Sequence, residues 1–174
     1  MGVCLTVTFA VACVAAGGQV ADGASSCAGV VVRVSRMEVS EPTGDHTVVL
    51  VVSNRGSGVC ILRGYPRIAL LDNRGRELTF TYRGRDERAA RLRPNTVRLP
   101  RGGRAFFALD KWRCDGAGTT VATTVFVRVL LPGARHWVRA RIPFERQLPY
   151  CPSDGEGWVI VSPLTSTYSA ALAP

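Results

Sequence analysis

The chain has very little lysine, and it lacks an apolar run long enough to cross a membrane. Only Lys111 among its 22 basic residues is a lysine, and all the others are arginines. A function that selects positive charge alone accepts either residue, so this bias indicates a GC-rich genome. The apolar stretch Val3–Ala16 is shorter than the roughly 20 residues that a transmembrane helix needs. Neither the net charge of +9 nor the N-terminus therefore predicts a membrane-spanning or nucleic-acid-binding protein.

The residues that common catalytic sites require are also scarce. The two histidines, His46 and His136, are both expected at exposed strand ends, away from a serine or cysteine nucleophile. No phosphate-cradling G-x-x-x-x-G-K-[ST] loop and no copper-type cysteine–histidine–methionine pattern is present. We therefore predict no catalytic residue, no metal and no cofactor. The alternative is a cell-envelope hydrolase that uses the neighbouring surface carboxylates Asp154 and Glu156.

The N-terminal residues 1–16 are predicted to be a signal peptide or a lipoprotein leader, followed by a linker at 17–26. The stretch is uncharged and ends in small residues, as signal-peptide cores do. Ala10–Ala12 precedes Cys13, which is both a cleavage pattern and a loose lipoprotein box. Two outcomes remain open, cleavage near Ala12 or Ala16 and lipidation of Cys13. Both place the protein outside the cytoplasm, secreted or anchored through Cys13.

Four cysteines lie in the body of the chain, far apart and without a C-x-x-C pair, which argues against a zinc site. In an exported protein they indicate two disulfides. An antiparallel pairing of the first two strands brings Cys27 near Cys60. A later hairpin, expected from Val121–Leu131 and Trp137–Phe144, returns the chain so that Cys151 comes near Cys114. Each bridge closes a loop of about 35 residues, worth roughly 3–4 kcal/mol in the chain-entropy model.

Residues 27–164 are predicted to form one all-β domain, an immunoglobulin-like antiparallel sandwich with Greek-key connections, and residues 165–174 a flexible tail. Short β-branched or alternating runs are separated by glycine and proline turns at fairly regular spacing. Ile68–Leu71 and Glu77–Tyr82 are expected to form the hairpin on which the rest packs. The other expected strands are Val30–Ser35, Thr47–Ser53 (central), Ala105–Trp112, Val121–Leu131, Trp137–Phe144 and Trp158–Ser162.

The segment Arg83–Pro100 is the least strand-like part of the body and is rich in arginine. Two interpretations are open, a solvated loop and a contact patch for an anionic polymer, because guanidinium groups bind phosphate in a bidentate manner. The candidate anion-binding residues are Arg83, Arg85, Arg88, Arg91, Arg93 and Arg98.

Several segments together resemble the actinobacterial secreted family known as domain of unknown function 4232. These are Cys27, Val51–Gly56, Cys60–Pro66, Leu70–Gly75, Leu99–Ala105, Trp112 with Cys114, and Cys151 with Val161–Leu164. The C-x-L-x-G-Y-P element at Cys60–Pro66 is the most specific of them. The resemblance implies an exported or lipid-anchored envelope protein of a high-GC bacterium with an immunoglobulin-like sandwich. It implies no catalytic or ligand-binding residue.

The function predicted from the sequence is therefore binding or interaction by a non-enzymatic secreted or cell-envelope domain. The expected partners are an anionic cell-envelope polymer or another envelope protein. No nucleic-acid partner is expected, and membrane association is expected only through a lipid on Cys13.

Overall fold

The computed structural model describes residues 27, 29–40, 45–84, 93–112, 114, 122–151 and 157–172, with the backbone alone at 36–40, 45 and 112. Across these ranges the chain forms twelve strands, one 3₁₀ turn (Phe144–Arg146) and one short helix, α1 (Tyr168–Leu172). The strands are β1 (Val30–Ser40), β2 (Asp45–Asn54), β3 (Cys60–Arg63), β4 (Arg67–Leu71), β5 (Thr81–Arg83), β6 (Thr96–Leu99), β7 (Arg104–Trp112), β8 (Ala122–Thr123), β9 (Phe126–Leu130), β10 (Val138–Arg141), β11 (Pro149–Tyr150) and β12 (Trp158–Val161).

The larger sheet has five strands in the order β1-β2-β7-β12-β5. β2 lies in the interior of this sheet, where it pairs antiparallel with β1 and, from Asp45↔Trp112 to Ser53↔Arg104, with β7. The prediction of a central strand at Thr47–Ser53 is confirmed. At the edge, β5 pairs parallel with β12, so this sheet is not purely antiparallel.

The smaller sheet has the order β10-β9-β4, and it corrects the prediction of a central hairpin. The hairpin of β9 and β10 forms as expected, but β4 pairs with β9 along its whole length. Of the expected pairing between Ile68–Leu71 and Glu77–Tyr82, only the bridge Leu71↔Glu77 is present. Because Leu78 and Phe80 are buried, the chain leaves this sheet after Glu77 and crosses to the larger one.

One hydrophobic cluster fills the space between the two sheets. Alternate residues point into it from each strand, as the period of two requires. From the larger sheet these include Val48, Leu50, Val52, Phe107 and Leu109, and from the smaller one Ile68, Leu70, Val127 and Val129. The all-β sandwich is confirmed.

Both predicted disulfides are present, Cys27–Cys60 with a Cα–Cα distance of 4.9 Å and Cys114–Cys151 with 6.0 Å. The first ties the start of β1 to the start of β3. The second ties the residue that follows β11 to the segment after β7. The bridged residues are 33 and 37 positions apart in the chain.

The C-terminal residues differ from the predicted flexible tail. Leu164 is fully buried, and Thr165 exchanges backbone hydrogen bonds with Phe106 of β7. Helix α1 then covers the outer side of the larger sheet, where Ala171 packs with Val49 and Ala108. The cover is needed because β2 and β7 carry apolar residues on both faces. No helix in the described ranges is long and apolar enough to span a bilayer.

Two other segments differ from expectation. Residues 96–99 form β6 and pair with β3, burying Val97 and Leu99, so part of Arg83–Pro100 is a regular strand. The run expected at Val121–Leu131 is divided into β8 and β9. The division falls at the buried Thr124, whose hydroxyl accepts a hydrogen bond from the Leu148 N–H at 2.8 Å.

The structure places the two histidines differently. His46 is the second residue of β2, at a strand end as predicted, but it is half-buried and not exposed. His136 is exposed, just before β10.

The Tyr82 hydroxyl links the sheets, since it accepts a hydrogen bond from the Leu70 N–H at 2.8 Å. Burial raises the pKa of Tyr82 from 10.0 to about 12. The folded state thus holds the phenol proton more tightly than the unfolded state does. The stability gained is complete below pH 10 and is lost as the pH rises towards 12.

We therefore expect the free energy of unfolding to fall by about 1–2 kcal/mol between pH 10 and 12 through Tyr82, allowing for partial solvation of the ring. Urea unfolding of the wild type and of Tyr82→Phe across this range measures the effect. The variant should be less stable at pH 8, by about 1–2 kcal/mol for the lost hydrogen bond, and less sensitive to high pH. Parallel alkaline curves for both proteins would contradict the prediction.

Candidate functional site

The outer side of the smaller sheet carries four arginines. Alternation decides which residues point outward, because Ile68, Val127 and Val129 already fill the core. We call the outward set the arginine–aromatic face. It consists of Arg67 from β4, Phe126 and Arg128 from β9, Trp137 immediately before β10, and Arg139 and Arg141 from β10.

Strand register places these side chains in adjoining rows. Arg139 lies opposite Arg128, and Arg141 lies opposite Phe126. Neighbouring strands are about 4.8 Å apart, so residues in one row are direct neighbours across the sheet. The arrangement therefore exists only because β4, β9 and β10 pair in this order.

Trp137 is the aromatic centre of the face, and its side chain is 39% exposed. The guanidinium of Arg128 lies 5.3 Å from the ring centroid, and that of Arg67 lies 5.9 Å from it. Both distances are within the range of cation–π attraction, which holds guanidinium groups over an aromatic ring. Two cations from neighbouring strands are therefore positioned around one indole.

The rest of the face is also strongly basic. The Arg139 guanidinium lies 3.8 Å from the Phe126 ring centroid. Four arginines share the face with the carboxylate of Glu77, which accepts a hydrogen bond from Arg128 Nη2 at 2.6 Å. Arg67, Arg139 and Arg141 are exposed residues. The face has a net positive charge that an anionic ligand can meet directly.

The Asp72–Arg76 turn forms one border of the face. Asp72 Oδ1 accepts hydrogen bonds from the backbone N–H groups of Arg74 and Arg76, and Oδ2 pairs with Arg76 Nε at 2.8 Å. Burial raises the pKa of the Asp72 carboxyl, but these hydrogen bonds outweigh it and leave that pKa below 3.8. Gly75, at φ 77°, lies beside the Arg139 guanidinium. The ordered turn thus supports one side of the face.

The residues proposed for anion binding from the sequence do not form this face. Arg83 lies on β5 of the larger sheet, where its guanidinium is 5.3 Å from the Trp158 ring centroid. Arg98 is exposed on β6, and Arg93 is exposed shortly before that strand. Arg85, Arg88, Arg91, Asp154, Glu156 and Cys13 lie outside the described residues. Within those residues, no three or more His, Cys, Asp and Glu side chains are grouped so that they could hold a metal ion.

Sequence reasoning missed the arginine–aromatic face although part of its signal was visible. Trp137, Arg139 and Arg141 alternate with apolar residues, and one solvent-facing side was expected there. Arg67 could not be added, because β4 was assigned to another hairpin. The missing information was the strand order.

A family model described as domain of unknown function (DUF4232) matches residues 27–165. The chain belongs to this family. The matched range of the DUF4232 domain contains all four disulfide-bonded cysteines and the whole arginine–aromatic face. No curated protein and no solved structure matches the chain.

Proposed function

We propose that this DUF4232 domain is a non-enzymatic, secreted or cell-envelope module that binds an anionic envelope polymer on its arginine–aromatic face. The observation that carries the proposal is that the guanidinium groups of Arg67 and Arg128 lie 5.9 and 5.3 Å from the Trp137 ring centroid. A half-exposed indole surrounded by cations offers both an apolar surface and positive charge to one ligand.

The charge favours a ligand with repeated phosphate or carboxylate groups. A guanidinium offers parallel N–H donors that fit either group in a bidentate manner. Arg128 and Arg139 lie opposite each other on neighbouring strands. An extended polymer that crosses the strands can therefore meet several cations in succession, whereas a single small anion would meet only one or two.

The aromatic side chains favour a polymer that also contains sugar or other carbon-rich units. Indole rings have a large apolar surface and are common where a ligand presents both apolar and polar groups. Trp137 is sufficiently exposed to pack against such a unit while Arg67 and Arg128 bind the adjacent anions. This combination distinguishes the face from a purely electrostatic patch.

The two disulfides support an extracytoplasmic location, because such bonds persist mainly in oxidising compartments. Export through the N-terminal leader, with or without a lipid on Cys13, would bring the domain to envelope polymers. The basic face is suited to anionic polymers in that location.

Binding of the full chain to polyglycerol phosphate, with neutral dextran as a negative control, tests the proposal. We expect Arg67→Gln/Arg139→Gln to weaken binding about ten-fold or more, since each lost charged contact contributes roughly 1 kcal/mol. Trp137→Ala should weaken it several-fold, and binding of the wild type should fall steeply with salt. The polymer should be recovered with its chain length unchanged.

The matched control is Arg93→Gln/Arg98→Gln, which removes the same charge from exposed arginines outside the face. It should change the affinity less than three-fold. An equal loss in both double variants would assign binding to net charge alone, and a larger loss in the control would assign it to the Arg83–Arg98 segment. Either result would overturn the proposed face.

A further inference from the structure

The two disulfides of this protein are similar in their exposure to solvent. Each joins one half-buried cysteine, Cys27 or Cys114, to one cysteine with 0% exposure, Cys60 or Cys151. The sequence separations are also similar, 33 and 37 residues. Access of an external reagent and the size of the closed loop therefore do not distinguish them.

They differ in the group next to the buried sulfur. Cys60 belongs to the main hydrophobic cluster. Cys151 lies beside Lys111, whose Nζ donates a hydrogen bond to Cys151 Sγ at 3.7 Å. Lys111 is the single lysine of the chain and is fully buried.

Strand alternation explains how a lysine reaches this position. Along β7, Phe107 and Leu109 point into the core, and Lys111 continues the same side of the strand. At this end of β7 the inward position lies beside the Cys114–Cys151 bridge. The alkyl part of Lys111 fills space in the interior while its amine contacts the sulfur.

An amine beside one sulfur makes a disulfide chemically asymmetric. Thiol–disulfide exchange proceeds faster when the departing sulfur is a well-stabilised thiolate, and a lysine nearby provides that stabilisation. The attacking thiolate must approach the other sulfur along the S–S axis. At Cys114–Cys151 the half-buried residue is Cys114, and the sulfur beside the amine belongs to the buried Cys151.

We propose that Cys114–Cys151 is an exchange-active disulfide and that Cys114 is the site at which a small thiol becomes attached. The thiolate of the small molecule attacks Cys114 Sγ and forms a new S–S bond. The Cys114–Cys151 bond breaks, and its electron pair leaves with Cys151 Sγ, which becomes a thiolate that accepts the hydrogen bond from Lys111 Nζ.

The exchange needs no other oxidant or reductant. A second small thiolate then attacks the mixed disulfide at the sulfur of the bound small molecule. Cys114 is released as a thiolate, and the two small molecules form a disulfide with each other. The net result is reduction of the bridge by two thiols. Because Lys111 and Cys151 lie outside the arginine–aromatic face, this reaction does not depend on polymer binding.

Glutathione serves as the probe, added in excess to the oxidised full chain under native conditions. Aliquots are quenched, free thiols are alkylated with N-ethylmaleimide, and peptides are mapped by mass spectrometry. A leaving thiol whose pKa is lower by about two should speed exchange about ten-fold, with a sensitivity near 0.5. We expect Cys114–Cys151 to open about ten times faster than Cys27–Cys60, with glutathione on Cys114 and the alkyl label on Cys151.

The role of the amine is tested with Lys111→Met, which conserves volume, and Lys111→Arg, which conserves charge. The rate advantage should disappear in Lys111→Met and persist at least in part in Lys111→Arg. The rate at Cys27–Cys60 reports any general loosening of the fold. If neither variant folds, the wild-type measurement still tests the proposal. Equal opening rates for Cys114–Cys151 and Cys27–Cys60, or glutathione mainly on Cys151, would overturn it.

Discussion

Replacement of Phe107 by alanine is expected to lower the free energy of unfolding by about 3–5 kcal/mol, the usual cost of deleting a large buried side chain. Phe107 has no exposed surface and belongs to the cluster between the two sheets. It lies on β7, whose strand neighbours β2 and β12 both contribute residues to that cluster. The cavity left behind therefore cannot be closed by moving one loop. Urea unfolding followed by circular dichroism measures the loss.

The matched control is Phe144→Ala, which removes the same side chain from a position that is 88% exposed. Its effect should stay within about 0.5 kcal/mol, as for most surface substitutions. Similar losses in the two variants would show that the residue assigned to the core is not buried there.

Removal of residues 165–174 is expected to cost about 2–4 kcal/mol of stability. The truncation deletes both backbone hydrogen bonds between Thr165 and Phe106, and it uncovers Val49 and Ala108 on the outer side of the larger sheet. The lost apolar contacts of Tyr168, Ala171 and Leu172 account for most of the estimate. Urea unfolding gives the change, and binding of an apolar dye reports the uncovered surface.

A chain that ends after Leu172 is the control, because it retains α1 and lacks only the last two residues. Its stability should equal that of the full chain within error. A truncation after Leu164 with unchanged stability and no dye binding would instead support the flexible tail expected from the sequence.

Local sequence patterns predicted much of the fold. Alternating and β-branched runs located β1, β2, β7, β9, β10 and β12, and glycine and proline marked the turns between them. Both disulfide pairings followed from antiparallel neighbours, in which the start of one strand lies near the end of the next. These inferences succeeded because they depend on residues close in sequence or joined by one hairpin.

The inferences that failed required the identity of a distant partner. Ile68–Leu71 is apolar enough to pair with any strand. Its local sequence does not specify its actual partner, β9, which lies more than 50 residues away in the chain. The same is true of Pro163–Leu172, whose small residues resemble a tail until the apolar outer side of β2 and β7 is known. A β-strand pattern specifies which face is buried but not which strand lies beside it.

Periodicity, turn residues and cysteine spacing were sufficient to predict an all-β domain with two disulfides and its family. They were not sufficient to predict that Arg67, Arg128 and Trp137 share one surface or that Lys111 lies against Cys151. Periodicity and turn chemistry act over only a few residues. Strand order and core packing instead bring Arg67 to Arg128 and Trp137, and Lys111 to Cys151, from distant parts of the chain.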